Sequence, residues 1–248
     1  MHPRSIGRLA HGARLCLLLS AIAVGAMPAH AQADAVTPAA ASSQHDERAA
    51  ARAAAEQGLA DYIQRKEAHG ADAATSASPL AVADARELST LHIGYGFEVH
   101  TLTPEDLLGR RAELARVVRP TGVWRFVAQA GARPVGLVTV AWHEGRWQAV
   151  SFGGGGLAQE VEAVMAAYAD AGRTNVRFIR VFQAQSDLLE VTSTADGIVR
   201  YAPLRSAREA LSQDLPAGTV TGVMTLRDGR ELIEPLRAAV KKSMEAAP

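Results

Sequence analysis

The side chains whose type and spacing could do chemistry are few, and each has a plain structural explanation beside the chemical one. Gly153, Gly154, Gly155 and Gly156 stand where a strand should hand over to a helix. Backbone N–H groups at a helix start can hold an anion, and glycine lets the anion come close. Neither G-x-G-x-x-G nor G-x-x-x-x-G-K-[ST] is present, so a flexible turn is the competing explanation. Arg177 and Arg180 interrupt an otherwise apolar strand. Their opposite parity points them to opposite faces. Each is either a salt-bridged arginine or a clamp for a carboxylate or phosphate.

Trp124, Trp142 and Trp147 fall on neighbouring strands. They are core and hairpin packing, or an aromatic platform for a glycan or peptide. His143 and Glu144 mark a hairpin tip. His92 and His100 share a strand face but lie about 26 Å apart along a straight strand, too far to share a metal. No pair of histidines has HxxxH or HExxH spacing. No G-x-S-x-G elbow surrounds a serine, and Ser186-Asp187 reads as turn chemistry. The candidate ligand-binding set is therefore Trp124, His143, the four glycines, Arg177 and Arg180. No catalytic residue, metal set or cofactor motif is expected.

The start of the chain decides where this chemistry would operate. Arg4, Arg8 and Arg14 precede a short apolar run at residues 15–26, Pro28 follows, and Ala29-His30-Ala31 offers small residues for cleavage before Gln32. That order is a secretory signal peptide. The run is too short to span a bilayer. Export to the periplasm or beyond is therefore expected, with no membrane-spanning segment in the mature chain. Cys16 is the only cysteine, and it leaves with the leader. The mature chain thus has no disulfide, thiol nucleophile or Cys-ligated metal. The whole chain has 26 basic and 26 acidic residues; losing three arginines leaves 23 against 26, a net −3 with neutral histidines. That balance gives no long-range attraction to nucleic acid.

The elements that must position these residues follow from periodicity and breakers. Residues 32–79 are an Ala-rich linker, with a semi-exposed helix predicted at 45–69 whose large apolar residues are only Leu59, Tyr62 and Ile63. The globular domain is residues 80–248. Thr103-Pro104-Glu105-Asp106 starts a helix. Strands at 123–129, 135–142 and 146–152 are separated by turns so short that they must pair antiparallel. A helix with Leu157, Val161, Val164, Met165 and Tyr168 on one face follows. Strands at 176–185 and 188–194, a helix near 203–213, a strand at 219–226 and a final helix complete the domain. The expected fold is α+β: one domain with an antiparallel β-meander, a β-β-β-α-β-β central block, and helices mainly on one face.

The functional expectation is a non-enzymatic binding or interaction module of the bacterial cell envelope, taking a protein, peptide or small ligand. The alternatives are a hydrolase or metal-assisted enzyme with a site gathered from separate loops, and an envelope structural or secretion-accessory protein engaged through residues 45–69. Protein recovered from the periplasm or medium of an expressing bacterium should begin at Gln32 on N-terminal sequencing. Recovery only of an uncut chain beginning at Met1 would contradict export.

Overall fold

Short turns build the first half of the sheet. β1 (Leu91–Thr101), β2 (Arg119–Ala130), β3 (Arg133–His143) and β4 (Arg146–Gly153) pair antiparallel in succession. At the β3–β4 turn Glu144 and Gly145 take φ of 51° and 80°, the primed geometry whose twist matches the flanking strands. It sets Trp142 opposite Trp147, with ring centroids 5.5 Å apart and planes at 77°. Farther along, Thr139 pairs with Ser151 and Val140 with Ala149, which leaves Val150 as the extra residue of a β-bulge. The structure is a computed structural model that describes residues 38–68, 78–109, 113–211 and 225–246. The predicted leader, the linker residues 32–37 and 69–77, and residues 219–224 of the predicted last strand lie outside them.

A helix of residues Gly155–Tyr168 carries the chain to a second meander of β5 (Val176–Val181), β6 (Ser186–Thr192) and β7 (Val199–Pro203). One seven-stranded sheet results, in the order β4-β3-β2-β1-β5-β6-β7. The expected antiparallel sheet is corrected at its centre: β1 and β5 run parallel, residues 99–101 against 178–180. The cause is the helical crossover. It takes the chain from the outer edge of the first meander to the far side of β1, and only a crossover of that length can deliver a parallel neighbour.

Helices cover both faces, not mainly one. α1 (Pro38–Ala68) buries Ala51, Ala55, Leu59 and Tyr62 against Trp124, Phe126, Ala128, Val138 and Val140. The opposite parity, with Val127, Leu137, Phe97, Phe178 and Leu189, packs on the crossover helix. Strands buried on both faces read as near-continuous apolar runs rather than alternating ones, and the β2 and β3 sequences have that character.

The helix predicted as a semi-exposed element within a linker is in fact packed on the sheet. Its stripe is longer than its three large residues because alanines extend it. Gly58 lies so close to β4 that a Cβ there would overlap the Cβ of Ala149. Tyr62 stacks on Phe152 at 5.1 Å, and its hydroxyl is 2.6 Å from Ser78 Oγ. Arg52 donates to the carbonyls of Ile93 (2.8 Å) and Gly94 (2.7 Å), and Arg48 to that of Gly96 (3.3 Å). These β1 carbonyls precede the short stretch that pairs with β5.

The remaining helices are short or C-terminal: α2 (Ala85–Ser89), α3 (Pro104–Leu108), α4 (Leu114–Val117), the crossover helix as α5, α6 (Arg205–Ala210) and α7 (Gly229–Glu245). Thr103 caps α3 as expected, accepting from the Asp106 N–H at 3.1 Å. The helix expected to run on from Thr103 through Val118 is, among the described residues, two short ones. Leu107, Leu114, Ile179, Leu188, Leu232, Leu236 and Val240 form a third apolar cluster on β5 and β6. No described helix is long and apolar enough to cross a membrane.

Leu59→Ala should lower the unfolding free energy in urea by about 2–4 kcal/mol, as expected for a buried leucine, whereas Glu56→Ala, on the exposed side of α1, should change it by less than about 1 kcal/mol. An unchanged midpoint for Leu59→Ala would show that α1 is dispensable to the sheet.

Candidate functional site

The residues singled out in the sequence are divided between the two faces and the rim. Trp124 is buried under α1, its ring 6.3 Å from that of Phe126, and its indole N–H has no acceptor. His143 is exposed at the hairpin tip, 3.7 Å from Glu144. Arg177 shares the face of Ile179 and the third cluster, while Arg180 shares that of Phe178 and the α5 cluster. Their opposite parity is realised without a bulge. They do not converge on one ligand.

Three of the four glycines have local explanations, the first being Gly153, whose φ of 148° lies in the region that favours glycine. Gly154 is the N-cap of α5 at φ 70°, a conformation that costs a residue with Cβ. At Gly155 a Cβ would lie 3.1 Å from the Val135 carbonyl oxygen and 3.3 Å from Ala81 Cβ. Gly156 is different, because a Cβ there would meet nothing within 4 Å. It opens on a cleft.

That cleft has a volume of about 210 Å³ and is lined by Gly156, Leu157 and Glu160 of α5, Asp187 of β6, and Arg205, Ser206 and Glu209 of α6. Asp187 is only 3% exposed. Its two oxygens accept from Arg180 Nη1 at 3.0 and 3.1 Å. Ser206 Oγ donates to its carboxylate at 2.9 Å and accepts from its backbone N–H at 2.9 Å. Glu160 accepts from the Arg205 N–H at 2.9 Å and from Arg208 Nη2 at 2.8 Å. A buried carboxylate needs such partners, since desolvation without them costs several kcal/mol. The cleft wall is thus polar and largely charge-compensated. The Ser206 hydroxyl donates straight into the Asp187 carboxylate, and the two side chains fix each other's geometry at the cleft floor.

A second polar row crosses the other face. Glu98 pairs with Trp124, Arg177 with Glu190, and Glu190 with Tyr201. Arg177 donates to Glu190 Oε1 from Nε (2.8 Å) and Nη2 (2.5 Å), and the Tyr201 hydroxyl to Oε2 at 3.2 Å. Burial and the Glu190 carboxylate push the Tyr201 hydroxyl well above its ordinary range. Burial raises the half-buried Glu98 carboxyl and lowers His100, so both are biased to their neutral forms. Among the described residues no group of three or more His, Cys, Asp or Glu could hold a metal ion.

Sequence reasoning missed Asp187, Glu190, Ser206 and Glu160. A signal for two of them was present: Arg177 with Glu190 and Arg180 with Asp187 are symmetric about one turn, so a single hairpin register forms both pairs. The sequence places Asp187 in a turn, but it is the second residue of β6. Neither family models nor curated proteins nor solved structures give a match to this chain.

Arg180→Met should leave Asp187 buried without its cation and cost about 3 kcal/mol of stability. The double variant Arg180→Met/Asp187→Asn keeps an acceptor for Ser206 without the charge and should recover most of that loss. Equal destabilisation of both variants in denaturant titrations would show that the ion pair is not what holds the cleft floor.

Proposed function

We propose that the chain is exported to the bacterial cell envelope and that its mature part is a non-enzymatic binding module, with the Asp187-floored cleft taking a small polar ligand. The observation that carries this reading is the open space over Gly156 between α5 and α6, walled by side chains already paired with one another. Paired walls present fixed dipoles and hydrogen-bonding edges, which suits recognition. A volume of about 210 Å³ is below that of drug-sized pockets, so the occupant is a molecule of few heavy atoms. Export is supported by the leader-like pattern of residues 1–31, and by a mature composition that would lack thiols.

A partner-docking role through residues 45–69 has less support. Of the large apolar residues of that segment, Leu59 and Tyr62 are turned into the sheet and Ile63 is partly buried against the same cluster, and the stretch of α1 at residues 44–50 is exposed but polar or small.

Gly156→Leu fills the cleft from a helical position where the new side chain meets no atom within 4 Å at its Cβ. It should leave stability unchanged or raise it by up to about 1 kcal/mol, because leucine favours helix over glycine. A panel of small polar metabolites screened by thermal shift should include stabilisers of the mature chain that lose their effect on Gly156→Leu. Stabilisers acting equally on both proteins would place binding elsewhere. Turnover of a substrate, abolished by one polar substitution, would overturn the non-enzymatic reading.

A further inference from the structure

A part-buried cation in the sheet has no counter-ion of its own among the described residues. Arg125 lies on β2, opposite Phe97 of β1 and Thr139 of β3, on the face covered by α5. Its guanidinium carbon is 5.4 Å from the centroid of the Phe178 ring. Its Nε and Nη1 are both buried and neither finds an acceptor. Among the described residues, the charged groups whose fields act on it are Asp187 and Arg180. Asp187 is already engaged by Arg180 at 3.0 Å and by Ser206 at 2.9 Å. Two guanidinia thus face one carboxylate, which leaves one positive charge uncompensated.

A buried donor without an acceptor is expensive, and a buried charge without a partner more so. The ring beneath the guanidinium supplies attraction but accepts no conventional hydrogen bond. We propose that Arg125 anchors an oxyanion subsite on the α5 face of the sheet, which takes a carboxylate or phosphate group. Planar guanidinium donors match both oxyanions, and Arg180 adds positive potential beside them. The subsite does not depend on the cleft proposed above, since Arg125 is not among the residues that line it.

The test is thermal unfolding of the mature chain at constant ionic strength, with chloride replaced stepwise by inorganic phosphate or by acetate. A ligand that binds only the folded state raises Tm in a saturable way. The wild-type chain should respond to at least one of the two anions. A response to phosphate alone assigns a phosphate group, and a response to acetate assigns a carboxylate. Arg125→Met should abolish the response and, without anion, unfold no earlier than wild type, because it removes an orphaned cation. Arg125→Lys keeps the charge but not the planar fork and should weaken the apparent affinity at least tenfold. A flat wild-type response, a rise that does not saturate, or an Arg125→Met protein that responds like wild type would overturn the subsite. So would an Arg125→Met protein that fails to fold combined with unchanged affinity in Arg125→Lys. Loss of ligand binding in Gly156→Leu with the anion response intact would refute the cleft alone.

Discussion

Three residue pairs join the two halves of the sheet. Residues 99–101 of β1 and 178–180 of β5 are the whole of the parallel contact, and everything on either side is a self-contained antiparallel meander. A ladder this short cannot hold two meanders together by main-chain hydrogen bonds alone. One helix reinforces it. α5 packs across both meanders on one face, through Leu137 and Val127 on one side and Phe178 and Leu189 on the other. α1 supplies Arg48 and Arg52 to β1 carbonyls outside the β5-paired stretch. A segment that looks like a spacer in the sequence therefore completes the hydrogen bonding of the central strand.

The same economy appears in the β5–β6 hairpin, where the two buried acids meet their arginines on opposite faces. Arg177–Glu190 and Arg180–Asp187 arise from a single register. A slip by one residue would send each charge to the wrong face and strand buried Glu190 and Asp187 without cations, a cost of several kcal/mol each. Buried ion pairs are poor sources of net stability, but here they select one pairing of two short, strongly apolar strands. That selection explains why arginines interrupt an otherwise hydrophobic run.

Much of this fold was legible in the sequence. The meander of β2, β3 and β4 followed from turn lengths, the α5 stripe from its period, and the α3 start from Thr103 and Pro104. What was not legible depends on long-range pairing. The parallel β1–β5 contact has no local signature, because neither strand's alternation reveals its neighbour. The burial of α1 was concealed by alanines, which pack closely without advertising it. The candidate site was less accessible still. Gly156 stands within a run of four glycines that serve different ends, and Ser186-Asp187 has the composition of a turn. Glu160 and Ser206 come from helices whose approach depends on the complete sheet. Arg125 stood unnoticed within an apolar strand, where only the missing partner sets it apart.

The bulge at Val150 has a consequence for how molecules of this protein meet one another. β4 is an outermost strand, and it carries no proline or lysine to discourage a neighbour. Its counterpart at the far rim, β7, is occupied by the reciprocal bridge between Tyr201 and Arg227. On β4 the extra residue breaks the even spacing of outward main-chain groups and turns an apolar side chain, 52% exposed, into water. An incoming strand would find its ladder out of step halfway along. The irregularity thus keeps an open sheet edge from serving as a template for its own continuation.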